Sequence, residues 1–254
     1  MSLPAVEPLI MSAALVVARV SACLMVAPGF SSARVTPRAR LFLAIALSLV
    51  VEPLARDSLA ADAAAPPAAQ ALALMRETAI GATLGVVARV YLLAFEMMAT
   101  AMSNFVGLSA AFAPSPEADQ PMPTLASALA LAATMLVFAS GVDAQLVRAL
   151  VGSYAAFPPD VVAQGLFVQG ALAQVIEALK DATLIGLRIA APLLVMALVA
   201  NLAFGAASRF TPQAPIYFVA APVLIGLGLA ALIVVERPAF GLLIDALGAR
   251  LASW

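Results

Sequence analysis

The chain has 254 residues, 64% of them hydrophobic and 11% charged, with a formal net charge of −1. A water-facing domain averages about 45–50% apolar and about 25% charged residues, so a membrane or a large hydrophobic assembly must take up the excess, and nothing basic points to nucleic acid. The absence of histidine and the single cysteine, Cys23, exclude His-based catalysis, His metal sites, internal disulfides and Cys-type zinc sites.

The first apolar run, residues 9–27, is long enough to cross a bilayer, which takes about 20 residues. No Lys or Arg precedes it, so it reads as mature structure rather than a signal peptide. Arg19 lies near its middle, where an unpaired charge costs about 2.5–3.5 kcal/mol; this predicts a buried partner. Residues 27–40 form a loop by their Pro, Gly and Ser content, and Arg34, Arg38 and Arg40 make it the most basic segment. The second run, residues 41–51, stops at Glu52-Pro53 and is too short to span, so it reads as a half-crossing or internally packed helix. Residues 56–69, rich in Ala and Pro, read as an exposed connector.

Residues 76–109 predict a helix with one polar face. On a helical wheel Thr78, Gly85, Arg89, Glu96, Thr100, Ser103 and Asn104 fall within about 60° of Arg89. Gly81 and Gly85 form a Gly-x-x-x-Gly pair that lets another helix approach closely. Such a stripe faces protein or water rather than lipid. Arg89 and Glu96 are about 10 Å apart along the axis and need other partners. The helix runs into residues 104–117, small and flexible, where Pro114 and Pro116 are expected to end it.

The fourth run, residues 124–151, reads as one helix containing Ser140-Gly141-Val142-Asp143. Residues 160–181 are amphipathic, with Val, Leu and Ile at helical spacing and Asp160 as a possible N-cap. The last two runs, 182–200 and 216–235, carry Arg188, Pro192 and Pro222, residues that kink membrane helices. Between them Gly205 is expected to end the helix and Pro212 and Pro215 to bar a new start before Ile216. Arg209 lies in this bend, able to bind helix-end carbonyls, a carboxylate or a lipid phosphate. From Glu236 a short amphipathic tail leads to Trp254. The fold class expected is therefore all-α, with about six long apolar helices plus an amphipathic helix, several kinked, in one domain over residues 1–254. The positive charges divide between the two faces of a six-span topology without deciding its orientation.

Asn201, Leu202, Gly205, Arg209, Pro212, Gln213, Ile216 and Pro222 stand in a spacing that resembles the late signature of the FliR family, the membrane export-gate subunit of flagellar and related type III secretion systems. The loop with Arg34, Pro37 and Arg38 is also similar to that family. The resemblance implies a single export-gate domain, without cofactor or catalysis. It would form, with FliP-like and FliQ-like subunits and beside a FlhB-like subunit, a channel for flagellar proteins in transit across the bacterial inner membrane at the flagellar basal body. It further implies a channel plug at Phe105, Gly107, Leu108, Ser109, Phe112 and Pro114, and an assembly seam at Arg19, Arg34, Pro37, Arg38, Arg89, Glu96, Asn104, Asn201, Gly205, Arg209, Pro212 and Gln213. The chain departs from the family pattern before the plug, at Ala113-Pro114 and around Gly141. An injectisome export-gate subunit is the alternative. A small-molecule transporter using Arg89, Glu96 and Arg188 is a further one, with membrane lipid as the common surrounding.

Overall fold

The computed structural model describes residues 3–32, 35–108, 112–114, 121–157, 166–210 and 216–254. Among these residues the protein is helical apart from one two-stranded hairpin. The elements are α1 (Leu3–Val26), α2 (Pro37–Ala63), α3 (Pro67–Phe105), β1 (Phe112–Pro114), β2 (Pro121–Pro123), α4 (Thr124–Ala139), α5 (Val142–Ala156), α6 (Leu166–Phe210) and α7 (Ile216–Ala252). Helices α1, α3, α6 and α7 each contain a stretch long and apolar enough to cross a membrane, and the broken pair α4–α5 adds a fifth if taken as one span. The all-α class read from the sequence holds.

The chain divides into two compact units, one of residues 1–90, 141–180 and 247–254, the other of 91–140 and 181–246. In the first unit α1 and α2 form a hairpin. The α2 stripe Ala44, Ser48, Val51, Ala55, Leu59 and Ala63 is buried at helical spacing, and Leu15, Val16 and Val20 of α1 are fully buried. Helix α3 comes closer to α1 than side chains permit. A Cβ at Gly81 would stand 2.0 Å from the Arg19 carbonyl oxygen, and one at Gly85 2.7 Å from that of Cys23. The Gly-x-x-x-Gly expectation is met, with α1 as the helix admitted. In the second unit Ala99 and Met102 of α3 pack with Val106, Met122 of β2, Ala126 of α4, and Ala190 and Leu193 of α6.

Several boundaries differ from those expected. Helix α2 does not stop at Glu52-Pro53 but continues to Ala63, and α3 begins at Pro67, so most of the supposed connector is helical. The buried stripe keeps its period across Pro53, and Arg56 holds Glu52 one turn back, so packing overrides the lost backbone bond. Residues 124–151 are not one helix: the backbone breaks at Ser140-Gly141, where Gly141 has φ 77°. The amphipathic segment and the apolar run after it are one helix, α6, of 45 residues. Its Leu172, Ile176 and Leu179 are exposed, and Asp160 lies outside the described residues. Likewise α7 passes through Pro238 to Ala252, so there is no separate tail.

Gly205 does not end α6, which runs on to Phe210. Glycine terminates a helix only where it adopts positive φ, and among the described residues Gly29, Gly107 and Gly141 do so. The restart at Ile216 agrees with the sequence reading.

Candidate functional site

The polar centre of the first unit is an ion network drawn from four helices. Arg19 on α1 is 1% exposed and Glu77 on α3 0%. Arg19 Nε donates to Glu77 Oε2 at 2.6 Å and its Nη1 to Ser153 Oγ on α5 at 2.9 Å. The guanidinium carbon lies 3.7 Å from the centroid of the Tyr154 ring, a cation–π contact out of reach of water. The other Glu77 oxygen accepts from Arg76 Nη2 at 3.0 Å, and Arg76 donates in turn to Asp62 at the end of α2. Two guanidinium groups thus face two carboxylates, as a buried charge set requires. Nearer the start of α1, Ser12 Oγ donates to Glu52 Oε1 at 3.1 Å, and Arg56 reaches both Glu52 oxygens at 2.8 and 2.7 Å. Each Glu77 oxygen already accepts from an arginine, so neither is left to act as a base. The arrangement fixes the register of helices and carries no evident chemistry of its own.

The expected plug begins with a defined helix stop. Helix α3 ends at Phe105, not at the prolines beyond, because Gly107 has φ 82°. Gly107 N–H donates to Asn104 O at 3.2 Å and Leu108 N–H to Ser103 O at 2.9 Å, the two bonds of a Schellman cap. Leu108 folds back onto the core around Met102. Beyond it β1 pairs antiparallel with β2, Phe112 opposite Pro123 and Pro114 opposite Pro121. Ser109 lies outside the described residues.

The polar face read on α3 is split. Gly85, Glu96 and Ser103 are buried, Arg89 and Thr100 are half-buried, and Thr78 and Asn104 are exposed. Thr78, Thr100 and Ser103 each donate to the carbonyl four residues back, so these hydroxyls need no outside partner. Pro37 opens α2 behind Thr36, whose side chain accepts from Ala39 N, while Arg38 is exposed. Arg40 closes the preceding loop by donating to Phe30 O at 2.8 Å and Ser32 O at 3.1 Å. Asn201, Gly205 and Arg209 are exposed on α6. Arg34, Pro212 and Gln213 lie outside the described residues.

Arg19 thus has the buried partner its position demanded. The identity of that partner was missed, as were the roles of Asp62, Arg76, Ser153 and Tyr154. The available signal was the Arg76-Glu77 pair immediately before an apolar stretch.

Among the described residues the chain is almost wholly helical, with four helices long and apolar enough to cross a membrane and charge held inside the bundle, the architecture of a polytopic membrane protein. The profile of bacterial export proteins, family 1, matches residues 10–247. The chain is 31% identical over 222 residues to the flagellar biosynthetic protein FliR of Caulobacter vibrioides, covering 87% of this chain and 86% of that protein. The chain therefore belongs to the bacterial export protein family 1, that of FliR.

Proposed function

We propose that this protein is a structural subunit of a flagellar type III export gate in the bacterial inner membrane, forming a protein-conducting channel with FliP-like and FliQ-like subunits. The observation that carries the reading is the similarity to FliR across 87% of the chain. Large apolar side chains left bare in the single chain, such as Phe42 at 72% and Met97 at 68% exposure, add support, because a membrane or other subunits must cover them. Arg38 on α2 and Arg89 and Asn104 on α3 are the polar groups we assign to subunit contacts. Affinity-tagged protein extracted in mild detergent is expected to retain the FliP-like and FliQ-like subunits in a stable complex. Recovery of a homogeneous single-chain species, with partners expressed and intact, overturns the reading.

Within that gate the segment after the Gly107 cap, together with the β1–β2 hairpin, serves as the closure. Its support is placement: the cap and the strand pairing hold both ends of the segment to the packed second unit. Replacing residues 109–112 with flexible Gly and Ser is expected to let small ions leak through the resting gate. Unchanged membrane conductance at normal protein level removes the plug assignment.

A further inference from the structure

We infer that Val106 is the latch of the closure assigned above: it sits in a notch left by Gly228 of α7, and the gate opens when Val106 leaves that notch. The inference rests on the reading of the segment after Gly107 as the closure, and adds what holds that segment shut.

The contact lies wholly within the second unit. Val106 is the first residue beyond α3 and is 1% exposed. A Cβ at Gly228 would stand 2.3 and 2.5 Å from the two γ-methyl carbons of Val106 and 2.9 Å from its Cβ. Carbon atoms pack at about 3.5–4.0 Å, so Val106 fills the space that any side chain at 228 would take. Rotating Val106 about χ1 does not clear that space, because its own Cβ is already too close and a β-branched side chain has few rotamers. One residue on, a Cβ at Gly107 would meet Ile225 Cγ1 at 3.7 Å, an ordinary contact. Ile225 and Gly228 are three apart, on one face of α7. That face touches both residues of the turn from which the closure hangs.

Position makes the contact a latch. Val106 stands directly before Gly107, whose φ of 82° ends α3, so displacing Val106 moves the cap and the segment it leads into. Met122 of β2, at the far end of the closure, belongs to the same buried cluster as Val106, and Ala231 and Leu232 of α7 pack against that cluster. Both ends of the closure therefore rest on one patch. The Val106 side chain is held there by apolar contact alone, and a gap of about 1 Å already forfeits much of that attraction. Pro222, inside α7 and six residues before the notch, lacks the N–H that would tie the helix to its preceding turn. A bend of α7 at that point carries Gly228 away from Val106.

The test uses the full chain in membranes with its partner subunits. Gly228→Ala is expected to raise the resting ion conductance several-fold at normal protein level, because its methyl drives Val106 out. The double variant Val106→Ala/Gly228→Ala makes room for that methyl and is expected to return the conductance close to the starting value. Gly226→Ala is the control, since nothing lies within 4 Å of its added Cβ, and is expected to leave the gate tight. A second experiment fixes the latch instead of forcing it. Cys23→Ala removes the sole native thiol. In that background Val106→Cys/Gly228→Cys places two Cβ atoms 2.9 Å apart, about 1 Å from the spacing a disulfide adopts. Oxidation is expected to arrest export and reduction to restore it. Export undiminished through the crosslinked gate, failure of the crosslink to form, or a Gly228→Ala gate that stays tight overturns the latch. The Gly and Ser replacement of residues 109–112, read alongside, separates the two readings. A leak there with a tight Gly228→Ala gate sinks the latch alone; no leak in either sinks the closure as well.

Discussion

Glu77→Gln is expected to destabilise the protein by about 3–5 kcal/mol, the cost of leaving a buried charge without its counter-ion. Arg19 would remain 1% exposed, facing the neutral amide oxygen introduced by the substitution, the Ser153 hydroxyl and the Tyr154 ring. None of these neutralises it. Arg76 would keep Asp62, so the loss falls on Arg19. The measurement is thermal unfolding in detergent together with the steady-state level in membranes. Because apolar groups of similar volume can replace a buried pair at little cost, the double variant Arg19→Met/Glu77→Leu is expected to recover most of the loss. If the double variant is no more stable than Glu77→Gln alone, the ion pair is not what holds α1, α3 and α5 in register.

The second large effect is expected at Gly81. In Gly81→Ala the added methyl meets backbone, the Arg19 carbonyl oxygen at 2.0 Å, and backbone cannot rotate away as a flexible side chain would. Helix α1 must move off α3, at about 1–3 kcal/mol for overpacking, and that movement pulls on the Arg19–Glu77 bond. Gly205→Ala is the natural control. Nothing lies within 4 Å of its Cβ position, and alanine in a helix interior gains about 1 kcal/mol over glycine. The two variants should shift the unfolding temperature in opposite directions. Equal shifts would mean that α1 and α3 are not in the close contact described.

These two sites show what was legible beforehand. Arg19 in an apolar run announced a buried partner because a lone charge there is costly. The partner itself was not legible: Glu77 is 58 positions away, and only the register between helices brings the two together. The glycine pair was legible because spacing along one helix suffices to read it, whereas Gly205 was misread because glycine ends a helix only when its backbone angle inverts. Tertiary packing also decided the continuity of α2 through Pro53 and of α7 through Pro238, where the local rule alone favours a break. The polar face of α3 was read as one seam because the wheel ranks residues by angle. It takes the neighbouring helices to show that Glu96 and Ser103 turn inward while Asn104 stays outside.

The ion network carries a consequence for biogenesis. Arg19 leaves the ribosome first; Glu77 follows 58 residues later and Ser153 134 residues later. At about 5–20 residues per second, the wait for Glu77 alone is about 3–12 s. Until α3 arrives, nascent α1 holds an unpaired charge in its apolar run, at about 2.5–3.5 kcal/mol. Pairing with Glu77 removes that cost, so the insertion of α1 and that of α3 are energetically coupled.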